Sequence, residues 1–244
     1  MVGRRAGLIG QDVGVPLPEP RPADQPPAVA HPSATLVLLR DGSAGIETLL
    51  VRRNARLDFH GGAWVFPGGR IDDEDRVGEV DELTAARRAA VRELGEEAGL
   101  TVAPELLVHV STWTTPDIAP KRFRTLFFVA PGDGAVQVDG GEIHDHRWIA
   151  PEAALAARRA GELELPPPQH VTLLALCAYA SVDEALRALA GVEPLSFVPR
   201  FVQGEGGAVC LYEGDAGYDT RELDVDGPRH RLWLTGSEWR YERS

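Results

Sequence analysis

The sequence predicts an α/β (α+β) fold, and three features of its first half indicate it. Residues 34–39 and 46–53 are two β-rich runs on either side of an Asp-Gly turn, which predicts a β-hairpin. Residues 83–94 carry apolar side chains at helical spacing, which predicts an amphipathic helix that ends at Gly99. Residues 125–130 form another β-rich run, so strands flank the helix on both sides along the chain.

The order of these elements divides the chain into three parts. Residues 1–32 hold seven of the 19 prolines and little apolar periodicity, so we expect a flexible N-terminal tail. Residues 33–165 contain the hairpin, the helix and the later strands, and we expect them to form the main domain. Residues 166–244 begin at a proline-rich break and contain a buried helix at 171–180, a second helix and strand-like runs. We expect this C-terminal extension to pack on the main domain.

The predicted helix ends with three glutamates on one face. Glu93, Glu96 and Glu97 occupy positions i, i+3 and i+4, which lie on the same side of a helix. Carboxylates packed this closely raise one another's pKa unless a cation lies among them. Oxygen ligands of this kind suit Mg²⁺ or Mn²⁺, which also bridge to substrate phosphates. A solvated acidic surface is the alternative, but the apolar stripe of the helix and the preceding Pro-Gly-Gly turn favour a metal site.

The nine residues from Arg92 to Leu100 resemble the second half of the Nudix box, the signature of the Nudix hydrolase superfamily, at every position. The first half departs from that pattern: Thr84 stands where the pattern has a glutamate, and the Pro-Gly-Gly turn lies about nine residues too far upstream. We interpret the departure as an insertion of Asp72 to about Val80. The resemblance covers about residues 33–166 and implies a mixed β-sheet sandwiched between helices.

The resemblance also implies an enzyme, a Nudix-type diphosphatase. Such a protein hydrolyses a diphosphate bond in a nucleoside diphosphate linked to another moiety, with Mg²⁺ or Mn²⁺ held by Glu93, Glu96 and Glu97. Arg92 would orient Glu96 at i+4, or would only stabilise the helix. A Nudix-fold ligand sensor that no longer hydrolyses anything is a further alternative, but such domains usually lose box carboxylates, and all three are kept here.

A loop acid would complete this site. Many Nudix enzymes have an acid a few residues before a tryptophan, and the segment before Trp148 offers Glu142 and Asp145. A carboxylate that removes a proton from the attacking water acts as a general base. We expect Glu93 or Glu142 to have that role.

The segment before the helix resembles the signature of the coenzyme A diphosphatase branch of the family. Residues 49–54, with the sequence LLVRRN, keep its register, and so do Gly62 and Phe66, whereas three other signature positions differ. The interrupted box is also similar to that of the peroxisomal coenzyme A-cleaving branch. The resemblance implies coenzyme A or acyl-coenzyme A as substrate and Arg52 as a contact. Nucleotide sugars, NADH and dinucleoside polyphosphates are the alternative substrates.

Other candidate substrate contacts lie on both sides of the helix. Gly68 and Gly69 form the turn before it, and Lys121 and Arg122 lead into a predicted strand. Basic side chains there suit phosphate, although a charged strand end at the surface is the alternative. Trp113 would stack on a base or pantetheine-like group, with packing in the core as the alternative.

Composition restricts the partners and the location. With 25 basic against 37 acidic residues the net charge is −12, which argues against binding to polymeric nucleic acid. The two cysteines lack metal-ligand spacing and are expected to be buried thiols. No apolar run of bilayer length and no signal-peptide pattern occurs, so we expect a cytoplasmic protein without membrane partners. Its partner would be a small phosphate-containing substrate, and a homodimer is possible.

Overall fold

The computed structural model describes residues 26–56, 61–78 and 80–244. They fall into two compact units, which we call the main unit (described residues up to Pro199) and the C-terminal unit (residues 200–244). Most of the predicted tail, residues 1–25, lies outside the described residues. Its last residues, 30–32, belong to a strand because they pair in parallel with residues 122–124. Residues 166–199, which we expected in the extension, lie in the main unit.

One mixed β-sheet of eight strands forms the centre of the main unit. The strands are β1 (Ala30–Gly42), β2 (Gly45–Arg53), β3 (Trp64–Val65), β4 (Gly68–Arg70), β5 (Val108–Thr114), β6 (Arg122–Pro131), β7 (Ile143–Ile149) and β8 (Leu195–Phe197). Their order is β3-β2-β1-β6-β5-β8, with β4 also paired to β1 and β7 to β2. The β1–β6 and β5–β8 pairs are parallel, while β1 and β2 form the predicted antiparallel hairpin. The prediction of a mixed sheet is confirmed.

Helix α1 (Glu82–Ala98) follows the inserted segment, within which residues 73–76 form one turn of 3-10 helix. The side chain of Asp81 caps α1 by accepting a hydrogen bond from the backbone N–H of Thr84. Gly99 ends it with φ at 67°, a left-handed conformation that favours glycine, so the predicted stop is confirmed. The buried side of α1 is mostly alanine, and these small side chains let the helix pack closely on β1 and β4.

The sheet is buried on both faces. Leu36 and Leu38 of β1 belong to the core that includes the buried side of α1. Their neighbours Val37 and Leu39 point to the opposite face and are also fully buried. Strands covered on both sides need continuous apolar runs, which explains the β-rich pattern seen in the sequence.

Three further helices pack in the main unit: α2 (Pro151–Arg159), α3 (Pro167–Leu176) and α4 (Val182–Ala190). Ser181 caps α4 as predicted, by accepting a hydrogen bond from the N–H of Glu184. The helix predicted at 171–180 begins earlier, at Pro167, and ends at Leu176. The proline run is therefore not a break, since proline is well tolerated in the first turn of a helix. No helix among the described residues is long and apolar enough to cross a bilayer.

The C-terminal unit is a four-stranded antiparallel sheet. Its strands are β9 (Arg200–Gly204), β10 (Gly207–Leu211), β11 (His230–Thr235) and β12 (Glu238–Arg243), in the order β12-β11-β10-β9. The first three overlap the strand-like runs that the sequence predicts at 197–202, 208–212 and 229–235, the first of them only in part. The fourth was not predicted, because its alternate residues are charged and exposed at the edge of the sheet.

Candidate active site

The acidic end of α1 lies against the Pro-Gly-Gly turn. The backbone N–H of Gly68 donates a hydrogen bond to Oε2 of Glu97 at 2.9 Å. A Cβ at Gly69 would overlap the carboxylate of Glu93, and a Cβ at Gly68 would overlap the carbonyl oxygen of Ala34. Glycine alone permits this close approach between the turn, β1 and α1. The turn therefore brings two of the three predicted glutamates against one short stretch of backbone.

Burial perturbs both of these glutamates. Glu97 is 5% exposed, and burial raises its pKa to about 8, with the Gly68 N–H partly opposing the shift. The charges of Glu93 and Glu142 raise the pKa of Glu97 further. Burial also raises the pKa of Glu93 against the opposing effect of Arg92. Two neighbouring carboxylates that resist ionisation form a place where a cation would bind favourably.

Glu96 lies on the same side of α1 and contacts Arg92. Nη1 of Arg92 donates to Oε1 of Glu93 and to Oε2 of Glu96, each at 3.0 Å. The contact to Glu96 is the i, i+4 ion pair that the sequence predicts, and the contact to Glu93 adds a second carboxylate to it. The Glu96 side chain is 59% exposed, so it is the most accessible of the three glutamates.

The carboxylate oxygens at the end of α1 are of the chemical type that binds a divalent cation. Within the described ranges, no group of three or more His, Cys, Asp or Glu side chains is arranged so that it could hold a metal ion. Glu93 and Glu97 nevertheless present carboxylate oxygens, which hard cations prefer, and their raised pKa values would be relieved by positive charge. These two residues fit a cation best.

The predicted loop acid lies near the same carboxylates. Glu142 immediately precedes β7, and its Oε2 lies 3.9 Å from Nη2 of Arg53 at the end of β2. Both charges act on the pKa of Glu97, which Glu142 raises and Arg53 lowers. Asp145, the other candidate, lies opposite Arg52 in the β2–β7 pair, and its Oδ1 accepts from the N–H of His146. Of the two candidate loop acids, Glu142 is therefore the one whose charge acts on Glu97.

The basic residues predicted to contact substrate differ in their exposure and in their hydrogen bonds. Arg52 is exposed, with Nε 3.4 Å from the carbonyl oxygen of Gly62. Lys121 is exposed too, with its ammonium 5.4 Å from the ring centre of Phe123. Arg122 instead donates to the backbone carbonyls of Thr115 and Ala28, at 3.1 and 3.0 Å. Arg122 thus holds neighbouring backbone in place.

Trp113 is packed inside the main unit. Its side chain is 6% exposed and stacks on Phe197 of β8, with ring centres 3.9 Å apart and planes at 1°. Its indole N–H donates to Oγ of Ser111. This geometry corresponds to the packing alternative, so we do not retain Trp113 among the substrate contacts.

Sequence reasoning missed two charged residues of this region. Arg53 pairs with Glu142 at 3.9 Å and its charge lowers the pKa of Glu97, whereas only its neighbour Arg52 was singled out. Asp75, in the inserted segment, is 4% exposed and accepts hydrogen bonds from Arg92, which raise the pKa of that guanidinium. The acid-x-x-acid spacing of Asp72 and Asp75, typical of a capping box, would have indicated an ordered turn.

A known protein family matches the part of the chain that contains the candidate site. A family model described as the NUDIX domain matches residues 30–169, which is more than half of the chain. The matched range includes the Pro-Gly-Gly turn, the whole of α1 and the loop acid before β7.

Two relatives are named as coenzyme A-cleaving enzymes. An acyl-coenzyme A diphosphatase of Xenopus laevis is 25% identical over 293 residues, covering 79% of this chain and 76% of that protein. A peroxisomal coenzyme A diphosphatase of Caenorhabditis elegans is 39% identical over 77 residues, covering 31% of this chain and 30% of that protein. The chain therefore spans about three quarters of the Xenopus protein and less than a third of the Caenorhabditis one, and it spans 52% of a putative nudix hydrolase of Caenorhabditis elegans to which it is 29% identical.

A solved structure shares the fold. The crystal structure of a NUDIX hydrolase from Alicyclobacillus acidocaldarius superposes with a TM-score of 0.61 at 26% identity. The similarity covers 68% of this chain and 99% of that one.

Proposed function

Because this chain belongs to the Nudix family, whose domain spans residues 30–169, we propose that it hydrolyses the diphosphate bond of a nucleoside diphosphate linked to another group. One observation carries the proposal: the buried Glu97 and the half-buried Glu93 both lie against the Gly68–Gly69 turn. Keeping two carboxylates there costs stability unless positive charge joins them. A metal ion bound for a reaction on an anionic substrate would supply that positive charge.

Nudix hydrolases generally use divalent metal ions, and we propose Mg²⁺ or Mn²⁺ for this chain. Glu93 and Glu97 would hold the ion, and the exposed Glu96 would join them. When bound, the ion supplies positive charge that offsets the charge of the diphosphate oxygens and lowers the pKa of a nearby water.

The remaining roles fall to charged side chains around these glutamates. Glu142 is exposed beside Arg53, and we propose that its carboxylate accepts a proton from the attacking water, with Glu93 as the alternative base. Nε of Arg53 is buried and has no hydrogen-bond partner within the described part of the chain. The charge of Arg53 suits a phosphate group near Glu142, and Arg52 and Lys121 add positive charge at exposed positions.

Coenzyme A or an acyl-coenzyme A is the substrate we propose. The register of residues 49–54 and the interrupted box support it, as do the two relatives named as coenzyme A diphosphatases. Nucleotide sugars, NADH and dinucleoside polyphosphates remain the alternative class, because the same carboxylates would serve any of these diphosphates. A ligand sensor without activity is the second alternative.

We propose that the protein is cytoplasmic and acts on a small phosphate-containing molecule. We also propose that it forms a homodimer. The chain has two cysteines, both free thiols in the structure, which agrees with a reducing compartment. A peroxisomal location is the alternative, since one relative carries that word in its name. Sedimentation of the purified protein tests the dimer, and imaging of a tagged chain tests the location.

The proposed reaction is tested with a substrate panel. Purified protein is incubated with Mg²⁺ or Mn²⁺ and coenzyme A, acyl-coenzyme A, ADP-ribose, NADH or diadenosine polyphosphates, and the products are separated by chromatography. A parallel series with a chelator in excess is the control. We expect coenzyme A to yield 3′,5′-ADP in the metal series alone.

Each outcome has a distinct meaning. Preference for another diphosphate would retain the reaction and reject coenzyme A, and residues 49–54 would then be only scaffold. Turnover that persists in the chelator would contradict the metal-dependent mechanism. Cation binding without cleavage of any compound in the panel would favour the sensor.

A further inference from the structure

More carboxylates surround Arg92 than its single positive charge can neutralise. Besides the two glutamates of α1, three acids of the inserted segment lie within 3.8 Å of its nitrogens: Asp72, Glu74 and Asp75. The side chains of Asp72 and Glu74 are more than half exposed, whereas that of Asp75 is 4% exposed. Asp75 also holds two guanidinium nitrogens, with Nη2 at 3.0 Å and Nε at 3.3 Å. The inserted segment therefore directs one buried carboxylate at Arg92.

The inserted turn is built to hold Asp75 in place. The backbone N–H of Asp72 donates to Oδ2 of Asp75 at 2.9 Å, and the N–H of Asp75 donates back to the carbonyl of Asp72 at 3.2 Å. Arg88 of α1 donates to the carbonyls of Val77 and Asp75, at 2.7 and 3.4 Å. Two arginines one turn apart on α1, Arg88 and Arg92, thus tie the segment to the helix.

We propose that Asp75 is a positioning residue for the metal-binding glutamates, so that the interruption of the box forms part of the site. Asp75 takes the Nε–Nη2 edge of Arg92, which leaves Nη1 to bridge Glu93 and Glu96. Because the guanidinium is planar and rigid, fixing one edge fixes the direction of the other. The expected effect of Asp75 on catalysis rests on the proposed function. The orientation of Arg92 by Asp75 does not depend on that function.

Loss of Asp75 changes what Arg92 does. Without the buried carboxylate, the Nε–Nη2 edge contacts, among the described residues, only the exposed acids Glu74 and Asp72 and the carbonyl of Arg70. These partners fix the guanidinium less firmly than the buried carboxylate, so it can turn to pair in a bidentate manner with Glu93 and Glu96. Such a pair occupies the same oxygens that a cation needs. Asp75 therefore keeps those oxygens available by engaging the edge of Arg92 that would otherwise compete for them.

The test compares three variants of the full chain. Asp75→Asn removes the charge and keeps the shape, Asp75→Glu restores the charge, and Asp73→Asn changes an exposed acid of the same turn as the matched control. Binding of Mn²⁺ is followed through the electron paramagnetic resonance signal of the free ion. The carboxyl ¹³C shifts of Glu93 and Glu96 are measured without metal, and circular dichroism checks the fold.

We expect Asp75→Asn to weaken Mn²⁺ binding by about 10- to 100-fold, a range typical of residues that support metal ligands. The metal concentration for half-maximal activity should rise with it, while KM for the substrate at saturating metal stays nearly constant. Asp75→Glu should recover only part of the affinity, because its carboxylate is displaced by one methylene, and Asp73→Asn should resemble the wild type. Wild-type Mn²⁺ affinity in Asp75→Asn would overturn the proposal.

The carboxyl signals separate this proposal from the proposed function. If they move in Asp75→Asn but the wild type neither binds Mn²⁺ nor cleaves a diphosphate, the positioning stands and the proposed function fails. If they do not move, the positioning fails whatever the activity. Should Asp75→Asn not fold, Asp75→Glu carries the test, because a carboxylate displaced by one methylene must shift Arg92 and the two signals.

Discussion

Two arginines, one in each unit, hold carboxylates in contrasting ways. Arg231 of β11 pairs with Asp215 through Nε and Nη2, each at 2.7 Å, and both side chains are at most 2% exposed. Asp215 also accepts the backbone N–H groups of His230 and Gly217. Although burial raises the pKa of Asp215, these hydrogen bonds together lower it below the usual value. One cation and one anion thus balance each other's charge, and backbone groups satisfy their remaining hydrogen bonds.

Arg92 of α1 lies in the opposite situation. Five carboxylates lie within 4 Å of its guanidinium, so the cluster carries an excess of negative charge. Glu97 adds another carboxylate to the same end of α1, with its pKa raised rather than lowered. A balanced buried pair links parts of the chain to each other, whereas an excess of one charge in a partly buried cluster indicates a ligand of the opposite charge. The comparison predicts that changes near Arg92 affect chemistry and changes near Arg231 affect stability.

The largest effect is expected at Glu97. Replacing it by glutamine keeps the shape and an acceptor for the Gly68 N–H, but removes the negative charge that a cation needs. Electrostatic contributions of this kind reach about 1,000-fold in turnover, so we expect Glu97→Gln to abolish measurable metal-dependent hydrolysis. Steady-state kinetics with Mg²⁺ provide the measurement.

The control for this variant is Glu105→Gln, at an exposed position in the same unit. Thermal unfolding should show Glu97→Gln at least as stable as the wild type, since a buried carboxylate has been neutralised. Turnover close to wild type in Glu97→Gln would remove this residue from the mechanism. It would also contradict the prediction that changes near Arg92 affect chemistry.

The second effect is on stability, at Arg231. Arg231→Gln leaves the buried Asp215 without its cation, and breaking a buried pair in this way costs about 3 kcal/mol or more. Urea unfolding monitored by tryptophan fluorescence measures it, because Trp233 and Trp239 belong to the C-terminal unit. The matched control is Arg187→Gln, whose ion pair with Asp183 on α4 is exposed and should contribute nothing measurable. Equal stability of the two variants would contradict the assignment of Arg231 to stability.

Local sequence pattern accounts for most of the fold. The hairpin and α1 were predictable because apolar periodicity and a glycine stop are local signals, and both agree with the structure. Strand β12 and the start of α3 were missed for local reasons too. Charged residues at a sheet edge look like loop, and prolines look like a break although they suit the first turn of a helix.

The candidate site was predictable only where spacing along one helix determines it. Glu93, Glu96 and Glu97 could be grouped because i, i+3 and i+4 positions share a face, whichever fold surrounds them. The contact between Asp75 and Arg92 joins residues 17 positions apart across an irregular segment, so no periodicity reports it. The packing of Trp113 on Phe197 likewise depends on the parallel pairing of β5 with β8, which no local pattern reveals.

A smaller effect on activity is expected at Gly69. A Cβ there would overlap the Glu93 carboxylate, the mobile end of a side chain, so Gly69→Ala should displace that carboxylate while leaving the backbone intact. We expect turnover to fall by about 10- to 100-fold, as for other groups that orient metal ligands, with little change in melting temperature. Gly191→Ala, where a Cβ would meet nothing within 4 Å, is the control. A variant that melts early but retains turnover would show that Gly69 serves packing alone.

The smallest effect concerns pH and involves neither arginine. Burial, aided by Arg158 and Arg159, lowers the pKa of His170 on α3 from an ordinary value of 6.5 to about 4. The unfolded chain therefore binds a proton more readily than the folded chain between these values, so the folded state loses stability as pH falls from about 6.5 towards 4. Between pH 7.5 and 5.5 the loss should be about 1 kcal/mol. Urea unfolding of the wild type and of His170→Leu at both pH values isolates this contribution, because all other titrating groups are common to the two proteins. An equal pH dependence in both would mean that His170 binds its proton equally well in the folded and unfolded states, which would contradict the lowered pKa of the buried side chain.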